Sequence, residues 1–380
     1  MTNIKIKKGS KFIPVFEPYI TLQDKIKVFK AINSKNISGT SPIIDTFENK
    51  LSNFFKSEKA VTVSNGSVAL DLTFELLNLE PNDEVILPSF TIISCLSAVV
   101  RSGAKPSFCD VDPNTWNMTL ENVKKAYNKN TKAILVVHIY GLPAEVDKIK
   151  KFADDKGLIL IEDTAEAHGQ SINNKLCGTF GAISTLSFYA NKHITTGEGG
   201  ALLINDEQYI EKAMKMKNLD FDPKRRFQHD NLYWNYRLGG LQAALGISQI
   251  DNLNKTISKK IKQAEIYNNI FDSSEYIQIP QKQSYGSINH YWVYGIIVKE
   301  RSRDDLQSFL IEKGIQTRRF FWPLHLQNAL PSEIEKNNYQ LPVSEHLGKN
   351  GLYLPMGSHL KRKDQEYIGS MINAFFTTVS

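Results

Sequence analysis

The chain has 380 residues, 41% of them hydrophobic and 23% charged. That is apolar content enough for a large and a small domain. The net charge of +6 comes from scattered lysines and short groups such as Lys224-Arg225-Arg226. No basic stripe is interleaved with aromatics, which argues against a nucleic-acid partner and suits an anionic small substrate. No apolar run is long enough to span a bilayer, and no apolar signal core follows the basic stretch 1–8. The chain is therefore expected to act in the cytoplasm, away from membranes. Its three cysteines, Cys95, Cys109 and Cys177, are odd in number and widely spaced. That reads as free thiols in a reducing compartment rather than a disulfide framework or a metal knuckle.

Residues 1–20 read as an arm or edge element. Residues 61–64 form a short apolar strand, 64–67 a turn, and 68–79 a helix with apolar residues at 68, 69, 72, 76 and 79. Strands follow at 84–87, stopped by Pro88, at 132–137, and at 158–161, ending in Glu162-Asp163. Two more are expected at 185–189 and 201–204. Continuous apolar strands between helical stretches predict a mostly parallel sheet covered on both faces. The composition shifts near residue 250. A long Lys-rich helix is expected over 251–271, a strand over 291–298, and a helix over 303–313 ended by Gly314. The expected division is a large domain, 1–255, and a small α+β domain, 256–380.

Open parallel sheets bind ligands at the carboxyl ends of their strands, and three features fall there. Ser64-Asn65-Gly66-Ser67 joins a strand to a helix. Its glycine and the helix N-terminus could hold a phosphate; equally, it could be a plain turn with Asn65 or Ser67 as cap. Asp163 ends an apolar strand, where a carboxylate must be paired or hydrogen-bonded. It could cap the next helix or pair with a protonated ring nitrogen. Lys192 stands between a strand and a Gly-rich stretch, where an amine loses its proton more easily and can attack a carbonyl. No His or Cys pair has metal-ligand spacing, and no G-x-G-x-x-G turn follows the first strand, so neither a metal enzyme nor a dinucleotide oxidoreductase is indicated.

The run Asn191-Lys192-His193-Ile194-Thr195-Thr196-Gly197-Glu198-Gly199-Gly200 resembles the lysine segment of the DegT/DnrJ/EryC1/StrS family. Three more segments match in order: 63–70, 162–169 and 235–246. The likeness runs from about residue 12 to the C-terminus. It implies an α/β, fold-type I aminotransferase dependent on pyridoxal 5′-phosphate (PLP), with a mostly parallel central sheet. By that resemblance Lys192 carries PLP as a Schiff base and moves the substrate proton, and Asp163 pairs with the pyridine nitrogen. Gly66, Ser67 and Ser187 contact the phosphate, and Ala165 lies on a ring face. Asn235 reaches the phosphate of a second subunit, so a homodimer sharing its active sites is implied.

Two positions depart from the family pattern. Glu166 stands where many relatives have Gln near the ring hydroxyl, and could be protonated, paired or swung away. Ile92 stands where relatives stack an aromatic ring on PLP, with Phe90 nearby as an alternative cover. On the substrate side Arg237, Arg318, Arg319 and His325 could face nucleotide phosphates, with His325 favoured. Phe320, Phe321 and Trp322 could line a sugar or base pocket. Segments 115–118, 138–141 and 317–325 resemble the branch that aminates GDP-4-keto-6-deoxymannose to GDP-perosamine with L-glutamate, for surface polysaccharide. Another keto-sugar nucleotide or a small phosphorylated ketone is the alternative. A dehydratase of the same fold has histidine at the lysine position. Retention of Lys192 and Asp163 also argues against a non-catalytic, regulatory relative.

Overall fold

The computed structural model describes residues 12–222, 224–331, 334 and 339–377. Its main sheet is built from β1 (Lys59–Val63), β2 (Glu84–Pro88), β3 (Lys105–Cys109), β4 (Thr131–Val137) and β5 (Ile159–Asp163). After a small hairpin of β6 (Ser171–Ile172) and β7 (Lys175–Leu176), it is completed by β8 (Ile183–Ser187) and β9 (Gly200–Ile204). The seven strands lie in the order β1-β9-β8-β5-β4-β2-β3. β9 runs antiparallel to both neighbours, and every other adjacent pair is parallel. The exception has a local cause. Parallel pairs need a crossover, whereas residues 188–199 form a loop that turns straight back.

Both faces of the sheet are dry, as the unbroken apolar strands predict. Along β4, Ala133, Leu135 and Val137 join one core while Ile134 and Val136 join another. Along β9, Ala201 and Leu203 face one way and Leu202 and Ile204 the other. The helices that cover these faces include several the sequence pattern does not single out, among them Leu22–Asn33, Ile43–Phe55, Ile93–Arg101 and Val146–Lys156. The first is closed by a capping box in which Thr21 and Asp24 bond each other's backbone N–H.

A second, antiparallel sheet comprises β10 (Ile277–Gln278), β13 (Tyr294–Val298), β14 (Arg318–Arg319) and β15 (Gly351–Leu354), ordered β10-β13-β15-β14. The hairpin of β11 (Gln283–Ser284) and β12 (Ser287–Ile288) stands beside it. Its core packs Tyr267, Phe271, Tyr294, Leu306, Leu310, Ile368 and Ile372 together. Within the expected arm, Ile13 and Val15 bond to Gly314, Gln316 and Met356, so this stretch is an edge element of the second unit. Residues 1–11 of the arm lie outside the described residues. The division expected at residue 255 falls just inside the helix Leu253–Phe271. No helix among the described residues is long and apolar enough to cross a membrane.

Candidate active site

Three strand ends of the main sheet open into one cavity of about 550 Å³. That size suits a cofactor with part of a substrate. β1 leads through Asn65 into the helix Gly66–Leu76. Asn65 is its N-cap, with Oδ1 accepting from the Val68 N–H at 3.0 Å. The choice between Asn65 and Ser67 as cap falls to Asn65. The first N–H groups of the helix, on Gly66 and Ser67, have no intrahelical partner and stand at its positive end. A Cβ on Gly66 would sit 2.8 Å from Ser187 Cβ, at the end of β8. Glycine is therefore what lets the two strand ends close into a cradle. Ser67 Oγ lies 2.7 Å from Ser94 Oγ, which also lines the cavity.

Asp163 ends β5 and is almost fully buried. Its Oδ1 accepts from the Ala165 N–H at 3.1 Å and its Oδ2 from the Cys95 thiol at 3.5 Å. Ala165 and Glu166 follow it into the cavity wall. Glu166 Oε2 accepts from the Tyr140 N–H at 3.0 Å, while Oε1 faces Lys192 Nζ at 3.8 Å. Of the three states open to it, Glu166 is therefore paired. Burial pushes its carboxyl up to about 7 against the opposing pull of Lys192.

Lys192 does not end a strand. β8 stops at Ser187, and the lysine stands in the return loop to β9. The loop is pinned rather than loose. The Thr196 N–H donates to Phe188 O, the Ile194 N–H to His168 Nδ1, and the Thr195 N–H to Gln249 Oε1. The lysine amine lies 3.7 Å from the centre of the Trp292 ring. Burial lowers its pKa below the ordinary lysine value, although Glu166 and Asp163 pull it back up. A buried amine that sheds its proton is what attack on a carbonyl requires. His168 and His193 are not isolated from each other. With His290 they form a row with ring centres 6.2 and 6.3 Å apart.

The remaining expected residues divide. Ile92 lines the cavity, whereas Phe90 is fully buried against Tyr140, Phe320 and Phe321. Ile92 is thus the side chain able to cover a ring. Arg318 lines the cavity as well; Arg319 points away to Gln307 and Asp304. His325 is moved out of the substrate set. It is fully buried, with Nδ1 at 2.6 Å from Ser89 Oγ and Nε2 at 3.3 Å from Glu345 Oε1. Arg237 donates to Asn218 and lines a different, shallow cavity with Ser38, Thr40 and Phe221. Asn235 is exposed and lies outside the cavity of its own chain. Phe321 lines the wall, while Phe320 packs into the core behind it. Ser94, Trp292 and Tyr353 are cavity residues that the sequence patterns did not mark.

These residues fit PLP. The cavity holds a phosphate cradle free of side chain at Gly66, a buried carboxylate and a largely buried amine. It also has two buried polar atoms without a partner, Thr185 Oγ1 and Asn191 Oδ1. A lysine-bearing cavity at the carboxyl edge of such a sheet is the architecture of the PLP-dependent aminotransferases. Residues 19–373 match the model of the DegT/DnrJ/EryC1/StrS aminotransferase family. The chain belongs to that family and is a PLP-dependent aminotransferase. It is 36% identical over 373 residues to GDP-perosamine synthase of Vibrio cholerae, covering 97% of this chain and the whole of that protein. The corresponding enzyme of Escherichia coli O157:H7 is also 36% identical, over 97% of this chain and 99% of its own. Among solved structures, the aminotransferase TlmJ of Streptoalloteichus hindustanus superposes with a TM-score of 0.90 at 28% identity, over 96% and 99% of the two chains.

Proposed function

We propose that this enzyme transfers an amino group from L-glutamate to a keto-sugar nucleotide, GDP-4-keto-6-deoxymannose in the first place, giving GDP-perosamine for surface polysaccharide. The observation that carries the aminotransfer reading is Lys192, a buried amine facing Glu166 across the same cavity that receives Asp163 and the Gly66 cradle. The sugar-nucleotide reading draws on the near-full-length likeness to the two GDP-perosamine synthases.

When bound, PLP supplies a carbonyl carbon and an electron-withdrawing ring through which the amino group changes carriers. Lys192 would hold the cofactor through that carbonyl, and its free amine would accept and return the proton of the substrate carbon. Asp163 would accept from the ring nitrogen and favour its protonated form. Gly66, Ser67 and Ser187, with Ser94 beside them, take the phosphate at the helix N-terminus. Ile92 and Ala165 would pack on the ring, and Glu166, which faces Lys192, would stand near its hydroxyl. Arg318 is the one member of the expected basic set that lines the cavity, and it receives substrate anions there.

In this reading Asn235 reaches the cavity of a second copy, so the enzyme works as a homodimer. Exposed Phe227, Leu232 and Trp234, on the segment that carries Asn235, support a partner surface there. The chain divides functionally into a large PLP-binding unit, 1–255, and a small unit, 256–380. The three cysteines are free and buried, which supports a reducing compartment, the cytoplasm.

Purified protein should carry a yellow cofactor that borohydride fixes to Lys192. Lys192→Ala should abolish the fixation, and a fixed adduct in that variant would refute the assignment. GDP-4-keto-6-deoxymannose, a dTDP-keto-sugar and dihydroxyacetone phosphate, each offered with glutamate, decide the acceptor by their yields of 2-oxoglutarate. The GDP sugar should give the largest. A larger yield from dihydroxyacetone phosphate would overturn the sugar-nucleotide reading.

A further inference from the structure

Among the described residues lining the cavity, Asp163, Glu166 and Glu198 are acidic, and only Lys192 and Arg318 are basic. Lys192 is committed to the reacting carbonyl. One guanidinium is therefore left to meet every substrate anion that this chain receives. Its placement follows from strand alternation. On β14, Arg318 pairs across the ladder with Tyr353 and faces the cavity, while Arg319 turns to Gln307 and Asp304. The Arg318 guanidinium lies 5.3 Å from the centre of the Phe16 ring and hydrogen-bonds the Tyr353 side chain. With Tyr353 holding one side of it, the remaining N–H groups of the guanidinium are available to an anion in the cavity.

Aminotransfer uses one site twice. An amino acid enters and leaves as a keto acid, and the acceptor ketone follows. Both reacting carbons must reach the same lysine, so the anions of both substrates are brought toward the same part of the wall. The donor's side-chain carboxylate lies a short carbon spacer from its reacting carbon. The diphosphate of a nucleotide-activated ketone lies one sugar ring away. A planar guanidinium accepts either anion through two parallel N–H bonds.

We propose that Arg318 is a shared anion anchor. It holds the donor's side-chain carboxylate in one half-reaction and the diphosphate of the acceptor in the other, so the two cannot be bound together. The inference rests on the donor and acceptor classes proposed above. It goes beyond them in assigning one residue to both anions.

The test follows each half-reaction separately on the cofactor-loaded enzyme by absorbance, with GDP affinity measured by calorimetry. GDP should compete with glutamate in the wild type. Arg318→Gln should raise the half-saturating concentrations of glutamate and of the keto-sugar nucleotide, and weaken GDP, each by about 10- to 100-fold. Limiting rates should change far less. Arg318→Lys, which keeps the charge without the fork, should recover part of both losses and exclude a folding defect as their cause. Glutamate and GDP binding independently, or a loss confined to one substrate in Arg318→Gln, would overturn the shared anchor and leave the enzyme assignment standing. Failure of the wild type to take an amino group from glutamate would instead remove the donor assignment, and this inference with it.

Discussion

Glu166 Oε1 and Lys192 Nζ face each other across 3.8 Å inside the cavity, both shielded from water. The other Glu166 oxygen is held by the Tyr140 N–H, so the carboxylate cannot swing away without giving up that bond. Asp163 and Tyr353 also face Glu166; Asp163, Cys95, His168 and Lys260 surround the lysine. In this set Glu166 has the largest pull favouring the ammonium form of Lys192. It stores charge beside an amine that must be neutral to react.

A pH consequence follows. The anion of Glu166 raises the lysine pKa, so removing it lets Lys192 shed its proton at lower pH. Glu166→Gln preserves the shape and can still accept from the Tyr140 N–H. The rate at which apoprotein takes up PLP into a borohydride-fixable form, plotted against pH, should move its midpoint downward. An unmoved midpoint, or one shifted upward, would show that the pair does not set the lysine's charge.

At the phosphate end, the closeness of Gly66 to Ser187 makes a steric prediction. In Gly66→Ala the new Cβ would meet Ser187 Cβ at 2.8 Å and its Oγ at 3.1 Å. Rotating the serine cannot relieve the first contact, so the two strand ends must part. Overpacking of this kind costs about 1–3 kcal/mol. Thermal unfolding should fall accordingly, and PLP should bind more weakly. The double variant Gly66→Ala, Ser187→Gly should recover most of the stability but not the PLP affinity, because the Ser187 hydroxyl is gone. Equal recovery of both would mean that Ser187 contributes only bulk.

How far the site could be read from the chain depends on how local its cause is. Asp163 stood out because a carboxylate closing an apolar strand is chemically conspicuous wherever the strand lies. Lys192 was legible through its neighbours, although the end of β8 was placed two residues late. Ile92 and Phe90 could not be separated, because residues 89–92 do not extend β2 and alternation has no hold there. Trp292 falls inside the strand expected over 291–298, but β13 begins only at Tyr294. His325 is buried away from the cavity for a cause that is not local. Its partners Ser89 and Glu345 lie 236 and 20 residues away, and nothing in the local Pro-Leu-His pattern reports them. Ser94 had a detectable signal, since Cys95, Leu96, Val99 and Val100 repeat at helical spacing behind it.

One step before Asp163, Glu162 anchors the same strand end from the opposite face. Its Oε1 accepts from the N–H groups of Phe180 and Gly181 at 2.7 and 2.8 Å. Its Oε2 accepts from Gly178 N–H at 2.8 Å and lies 3.1 Å from His138 Nε2. His138 Nδ1 accepts from the Ala144 N–H, so Nε2 bears the proton and donates. Every partner of Glu162 is thus a donor. In Glu162→Gln the amide NH₂ must face one of these donor sets, leaving buried N–H groups opposed. The loss should be about 1–3 kcal/mol near neutral pH, read as a lower urea midpoint. Burial alone would raise the Glu162 pKa, but the hydrogen bonds from His138, Gly178 and Gly181 overrule it and hold it below the ordinary 4.5. A depressed folded-state value means stability that is present above the unfolded pKa and lost as pH falls through the folded one. The wild type should therefore lose stability on acidification below about 4.5 more steeply than Glu162→Gln, and the gap between them should narrow. A gap that stays constant from neutral to acid pH would show that packing, not charge, makes Glu162 matter.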